Sequence, residues 1–172
     1  MQQFKSEIRL GLNVKDLNFS PSTSSDWWIE EVMLAHEFFI NPGALKAQRE
    51  IFFEIFNRPD DTVAFVRTMK HPLAVFALKR PTGEYLAFCQ INAEAQDGEL
   101  HNVVVQSKMK KQGLGTAVVK ASLRWAATQG KKFGLETISL RTLREWPHIN
   151  FFQKLGFRPI TYDTSIIKRT LD

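Results

Sequence analysis

Apolar and polar positions alternate with different periods along the chain, and the periods divide it into an early helical part, a central run of strands and a late alternation of helix and strand. Residues 6–14 fit a short first strand. Residues 18–25, where Pro21 stands among serines and a threonine, read as a loop. Thr23, Ser25 or Asp26 can cap a helix starting after that loop. This helix is expected over residues 27–40, stopped by Asn41-Pro42-Gly43, and a second over residues 44–56, ended by Asn57-Arg58-Pro59. Residues 62–69 fit a strand or irregular chain.

Residues 73–79, 85–95 and 99–106 are strand-like runs. Turn-forming residues at 80–84 and the pair Asp97-Gly98 separate them, so they read as an antiparallel meander. Leu114, Ala117, Val118, Ala121 and Trp125 share one face of a helix over residues 113–129, which Gly130 ends. A strand over 137–143 and a helix over 145–155 come next, the helix ended by Gly156. Residues 157–160 and 162–168 close the chain as sheet. The order predicts a mixed α/β fold in one domain spanning residues 1–172, with no linker to divide it.

Composition supports a packed domain. The 172 residues are 44% hydrophobic and 24% charged, the balance of a globular protein, and long enough to bury a core without staples. Fourteen phenylalanines need that core. Cys89 is the single cysteine, which excludes an intramolecular disulfide and a multi-thiolate zinc site, and it reads as a small buried hydrophobe. His36 and His71 show no metal-ligand spacing, so no metal is expected. The first ten residues lack the apolar segment of a signal peptide. No stretch approaches the ~20 apolar residues that cross a bilayer. A cytoplasmic protein with no membrane partner is expected.

Charge changes the picture more. The net charge is +5, but residues 1–103 hold 10 Lys+Arg against 14 Asp+Glu, and residues 104–172 hold 13 against 4. That asymmetry points to an anionic ligand on the C-terminal part, either nucleic acid or a phosphorylated cofactor.

Two stretches carry candidate chemistry. In the first, an apolar strand ending at Val103, Val104 and Val105 runs into Lys110-Lys111-Gln112-Gly113-Leu114-Gly115-Thr116 and then a helix. Glycines at a helix start let a ligand approach the backbone, and the free N–H groups there bind anions. It is neither a Walker loop nor the three-glycine dinucleotide fingerprint. The second stretch, Phe151-Phe152-Gln153-Lys154-Leu155-Gly156-Phe157, lies about 40 residues later on a helix that turns into a strand.

Together, in this order and at this separation, the two stretches resemble the GNAT superfamily of N-acetyltransferases. Lys110, Gly113 and Gly115 fall on its phosphate-loop pattern. Phe151, Lys154, Gly156 and Phe157 fall on its later motif. The resemblance implies a GNAT-like fold: a central, mostly antiparallel twisted sheet of six to seven strands flanked by about four helices. It implies acetyl-CoA as co-substrate, no metal, and transfer to a primary amine on a small molecule, peptide or protein. The pyrophosphate would be held by backbone amides over residues 111–116, with Lys110 and Lys154 beside them. The pantetheine would lie along Val103, Val104 and Val105, and a backbone N–H near Val103 or Val105 would steady the carbonyl oxygen. A homodimer is the default oligomer, and nucleic acid is not expected.

By the same resemblance, Glu99, about fourteen positions before the first loop glycine, takes the place of the histone acetyltransferases' glutamate base. His101 takes the place of a histidine in the serotonin acetyltransferase relatives. Residues i and i+2 of a strand face one side, so Glu99 and His101 are expected to point together. Waters alone could also carry the proton. Asp26, Glu30, Glu31 and Glu37, on or beside the first helix, would suit a cationic acceptor or form a solvated face. Phe152 stands where the family commonly has a tyrosine that protonates the departing thiolate, and His148 or Tyr162 could replace it. Glu145 and His148 also depart from the usual motif. Two competing readings remain: an acyl-CoA-binding module without turnover, and a nucleic-acid binder using Lys108, Lys110, Lys111, Lys131 and Lys132.

Overall fold

A computed structural model of the chain describes residues 7–17, 27–94, 96–143 and 148–160. Seven strands form one sheet: β1 (Glu7–Asn13), β2 (Ile29–Leu34), β3 (Pro72–Lys79), β4 (Tyr85–Glu94), β5 (Asp97–Val105), β6 (Thr137–Leu143) and β7 (Arg158–Ile160). Five helices accompany them: α1 (Ala35–Phe39), α2 (Pro42–Ile55), α3 (Pro59–Thr68), α4 (Leu114–Gln129) and α5 (His148–Lys154). The strand order is β2-β3-β4-β5-β6-β1-β7. Every pairing is antiparallel except β5 with β6. Parallel neighbours need a long crossover, and α4 supplies it.

The central strands are apolar on both faces because both are covered. Along β3, Ala74, Phe76 and Leu78 enter the cluster built around Val118 and Leu123 of α4. Val75 and Ala77 enter a second cluster with Phe38 of α1 and Ile51 and Phe52 of α2.

The β5–β6 pairing is short. It joins Asp97 to Thr137, Gly98 to Ile138 and Glu99 to Ser139, and goes no further. Beyond Glu99 the two strands part, and a cleft opens between them. Gly98 sits where the strands are tightest. A Cβ there would lie 2.8 Å from Ile91 Cγ2 and 3.0 Å from Ile138 Cδ1. The pair expected as a hairpin turn therefore belongs to β5 itself, with Asp97 its first residue and Gly98 a close-packing glycine.

Two further expectations are corrected. Residues 27–40 are not one helix but the edge strand β2 followed by the single turn of α1. Ile29 and Val32 favour strand, and the segment gains a full ladder against β3, from Ile29 opposite Lys79 to Leu34 opposite Ala74. Residues 59–68 are helical rather than extended or irregular. Pro59 opens α3, Asp60 and Asp61 occupy its first turn, and the Arg58 N–H donates to Asp61 Oδ2 at 3.0 Å. The exposed Val63 and Val66 blur that pattern in the sequence. The seven strands and five helices among the described residues agree with the expected sheet of six to seven strands and about four helices. Asn41 ends α1 and also caps α2, its Oδ1 accepting the Ala44 N–H at 3.1 Å. The loop over 18–25, the caps Thr23, Ser25 and Asp26, Glu145, Tyr162 and the strand over 162–168 lie outside the described residues.

Candidate active site

A bulge in β5 sets which side chains face the cleft. Phe88 of β4 pairs with Val104, but Gln90 pairs with His101, so two steps on β4 face three on β5. Asn102 absorbs the extra residue at φ +55°. Asparagine tolerates that left-handed conformation better than most residues. Its Nδ2 donates to Thr68 Oγ1 at 2.9 Å and to Gln90 Oε1 at 3.1 Å. Gln90 in turn receives the buried Gln48 Nε2 at 3.0 Å and donates to Asn92 Oδ1 at 2.9 Å. This interior network ties α2, the end of α3 and β4 to the bulge. Past it, Val103 and Val105 join Leu100 on the α4 side, while Val104 packs with Phe88 on the other.

Glu99 and His101 come together as the alternation expects. His101 Nε2 lies 3.4 Å from Glu99 Oε1, and Arg141 Nε of β6 lies 3.5 Å from the same oxygen. The Glu99 side chain is 6% exposed and the His101 side chain 26%. The carboxylate is therefore buried behind an imidazole that lines the cleft.

The strand leaves the cleft through a 3-10 turn, Ser107–Met109, and reaches α4 by way of Lys111 at φ +67° and Gly113 at φ +79°. No side chain caps α4. Its first intrahelical bond is from the Ala117 N–H to the Gly113 carbonyl, so the N–H groups of Leu114, Gly115 and Thr116 have no helical partner. Acids hold the turn from outside. The Ser107 N–H donates to the Glu54 carboxylate of α2 at 2.6 Å. The Ser107 hydroxyl and then its N–H, with Lys108 and Lys110 nearby, hold the Glu54 carboxyl below its ordinary value. Glu84 accepts from Lys108 at 3.0 Å and from Gln106 Nε2 at 3.3 Å, and these contacts lower its carboxyl likewise.

The cleft encloses a cavity of about 790 Å³, within the range of small-molecule sites. One wall is the helix start: Gly113, Leu114, Gly115 and Thr116, with Lys110 and Lys111 at its rim. Val103 and Val105 form its floor, and Phe151 and Phe152 of α5 close it. Another wall comes from α2 and α3, through Phe52, Ile55, Phe56, Asp61 and Ala64. His101, Asn102 and Arg141 also line it.

Of the residues singled out in the sequence, Val104, Gln112, Lys154 and Glu99 do not line the cavity. Val104 is 1% exposed and faces the other layer. Gln112 and Lys154 are exposed to solvent. Phe152 lies edge-on to Phe157, with ring centroids 5.8 Å apart, as an apolar wall with no proton to give. His148 opens α5, and its side chain lies outside the described residues.

The expected acidic acceptor side is not built from the early acids. Glu30 pairs with Arg124. Glu31 takes Lys79 and the Tyr85 hydroxyl, the latter at 2.7 Å. Burial pushes the Glu31 carboxyl up, but these hydrogen bonds carry it below its ordinary value. Tyr85, buried beside that carboxylate, is pushed up to about 12. Glu37 Oε1 accepts the Leu34 N–H at 3.1 Å. Each lies in β2 or α1, which the sequence pattern merges into one helix. Among the described residues the one acid lining the cavity is Asp61. Sequence reasoning missed Asp61, Arg141, Asn102 and the α2 aromatics. The signal for Asp61 was Pro59 with two acids after it, a helix start.

The lysines considered for nucleic acid do not form one patch. Lys131 and Lys132 lie past the far end of α4, roughly 24 Å from the loop for a helix of 16 residues. Lys108 is engaged by Glu84. Cys89 is buried, with its thiol pushed up to about 12 by burial. No helix among the described residues is long and apolar enough to cross a membrane, and no group of three His, Cys, Asp or Glu among them could hold a metal ion.

A model described as the Acetyltransferase (GNAT) family matches residues 41–157. No curated protein matches the chain in sequence. Among solved structures, a GCN5-related N-acetyltransferase from Kribbella flavida superposes with a TM-score of 0.60 at 18% identity, covering 90% of this chain and 55% of that one. The ribosomal-protein-S18-alanine N-acetyltransferase of Escherichia coli gives 0.57 at 20%, covering 77% and 80%. The glucosamine-6-phosphate N-acetyltransferase of Arabidopsis thaliana gives 0.54 at 16%, covering 79% and 95%. The chain thus spans little more than half of the Kribbella flavida protein. At these identities the superpositions establish the fold.

Proposed function

The chain belongs to the GNAT family of acetyltransferases, and on that footing we propose that it passes the acetyl group of acetyl-CoA directly to a primary amine, on a small molecule or on a peptide or protein. The reading treats residues 1–172 as one acetyltransferase domain. The observation that carries it is the convergence, in one cavity, of the uncapped start of α4 and the His101 imidazole.

The helix start fits a diphosphate. Three N–H groups without helical partners, the helix dipole and the side chains of Lys110 and Lys111 favour two negative charges there. The floor at Val103 and Val105 runs along the side of β5 that β6 has left, where an extended amide chain can add to the strand. Acetyl-CoA supplies a thioester whose acetyl carbon the amine attacks.

An alkylammonium, with pKa ~10.4, must first lose a proton. His101 takes it, directly or through water, and the charge left on the imidazole faces the Glu99 carboxylate. Arg141 Nε, 3.5 Å from the same oxygen, gives the Glu99 carboxylate a second cationic neighbour. A backbone N–H at Val103 or Val105 steadies negative charge on the carbonyl oxygen. The C–N bond forms, the C–S bond breaks, and the thiolate leaves. With a thiol pKa near ~8.5 it can depart without a proton from Phe152.

The test is calorimetric titration with acetyl-CoA and with CoA, then thiol release in the presence of amines. Micromolar binding and amine-dependent thiol release are expected. No binding of either up to about a millimolar overturns the reading. Phe152 favours a second reading, binding without turnover, which the thiol assay separates from the first.

A further inference from the structure

We propose that the amine acetylated here is a monoamine carried on an apolar alkyl or aryl body, and not a polycation such as a polyamine. The inference deepens the acetyltransferase reading and rests on it.

Three observations carry it. The first is the surface facing the acceptor position. Phe52, Ile55 and Phe56 of α2 and Ala64 of α3 line the same cavity as the His101 imidazole. The second is the stiffness of that wall. The Phe52 ring lies 4.8 Å from Phe56 and 4.7 Å from Phe65, centroid to centroid, so α2 and α3 present one interlocked aromatic surface. Such a surface offers a hydrocarbon chain or ring burial without reordering. The third is charge. Asp61 is the one acid that lines the cavity among the described residues. One Asp61 oxygen already accepts the Arg58 N–H. Glu30, Glu31 and Glu37, the acids that would have received a polycation, are held elsewhere by Arg124, Lys79 and the Leu34 N–H. A second ammonium in this cavity would lose its water and find only Asp61, already engaged, as an acid among the described lining residues. A hydrocarbon body loses only unfavourable hydration.

The chemistry predicts a slope. Each methylene buried against the wall tightens binding roughly 3- to 4-fold. From propylamine to hexylamine the dissociation constant should fall at least about tenfold, allowing for incomplete burial.

The experiment titrates the CoA-loaded protein with propylamine, hexylamine, 2-phenylethylamine and spermidine. Hexylamine and 2-phenylethylamine should bind at least about tenfold more tightly than propylamine and spermidine. Phe56→Ala should erase the advantage of 2-phenylethylamine over propylamine. Ala64→Asp adds an anion at an exposed helix position and tests the charge argument without disturbing the core. It should improve spermidine and weaken hexylamine. Spermidine binding as tightly as hexylamine, or no gain from propylamine to hexylamine, overturns the inference while CoA binding leaves the acetyltransferase reading standing. A protein that binds no CoA overturns both.

Discussion

Glu99 Oε1 lies 3.4 Å from the imidazole Nε2 of His101, two residues further along the same strand, with the carboxylate buried and the imidazole at the cavity wall. The pair works as a unit only if His101 meets the amine and Glu99 meets His101. His101→Ala should therefore lower kcat by about 10²- to 10³-fold, the ordinary range for a lost general base. Glu99→Gln, which keeps the shape and removes the charge, should lower it less and leave the affinity for acetyl-CoA unchanged. The double variant should be little worse than His101→Ala, because both act on one proton transfer. Steady-state kinetics at saturating amine over pH 6–9 decide it. Turnover untouched in both single variants means that water carries the proton.

Glu54 reaches from α2 to the turn before the phosphate-binding loop, where its carboxylate receives the Ser107 N–H. The bond links α2, which lines the cavity, to the turn before the loop at the start of α4. Glu54→Ala should weaken acetyl-CoA binding by about three- to tenfold through loss of loop order. The pH sign comes from a carboxyl held below its ordinary value. The stabilisation is fully present above the unfolded value of 4.5 and is lost as pH falls through the lower folded value. Glu54 is exposed, so screening limits the contribution to about 1 kcal/mol or less. The melting-temperature gap between wild type and Glu54→Gln should be constant from pH 6 to 8 and close in the acid range. A gap that persists once the carboxyl is protonated would sink the assignment.

The two loop glycines should answer differently to alanine. Gly113 has φ +79° with open space around its Cα, so alanine meets no atom but must hold a left-handed backbone. The loop then shifts or stores strain of about 1 kcal/mol, and acetyl-CoA affinity should fall by about tenfold. Gly115 lies inside α4, where a new Cβ would sit 3.7 Å from Phe151 and 3.8 Å from Val105, ordinary contacts. Gly115→Ala should raise the melting temperature, since alanine outranks glycine in a helix by about 1 kcal/mol, and should cost affinity less than Gly113→Ala. Titration and thermal melts on the two variants suffice.

The sheet was legible wherever apolar runs were bounded by turn residues, as in β3, β4, β5 and β6. The uncapped start of α4 was legible because glycines at a helix start are a local signal. Pairing decisions were not. Whether residues 29–34 form a helix or a strand depends on β3 offering a partner ladder, which no local window contains. The Asn102 bulge is invisible for the same reason. It exists as a mismatch between β4 and β5, and it decides that Val103 and Val105 face the cavity while Val104 does not. The helix α2 was legible, but its aromatic wall was not, because the opening onto it depends on β6 parting from β5. The early acids misled because β2 places Glu30 and Glu31 in separate ion pairs rather than along one open helix face.

Phe152 offers a gain-of-function test. It lines the cavity and leans edge-on against Phe151, 5.0 Å away, and Phe157. It puts no donor near the place where a thiolate must leave. Phe152→Tyr adds one oxygen to a partly buried ring without changing the packing of its faces. A phenol with pKa ~10 can protonate a thiolate of pKa ~8.5 as the C–S bond breaks, and takes its proton back from water. If thiolate departure limits the rate, kcat should rise by about three- to tenfold near pH 7. The gain should fade above pH ~10, where the phenol ionises. The amine affinity should not change, because the substitution lies on the α5 wall and not on α2 or α3. An unchanged kcat, with acetyl-CoA affinity intact, means that the thiolate leaves unaided and that proton removal at His101 governs the rate.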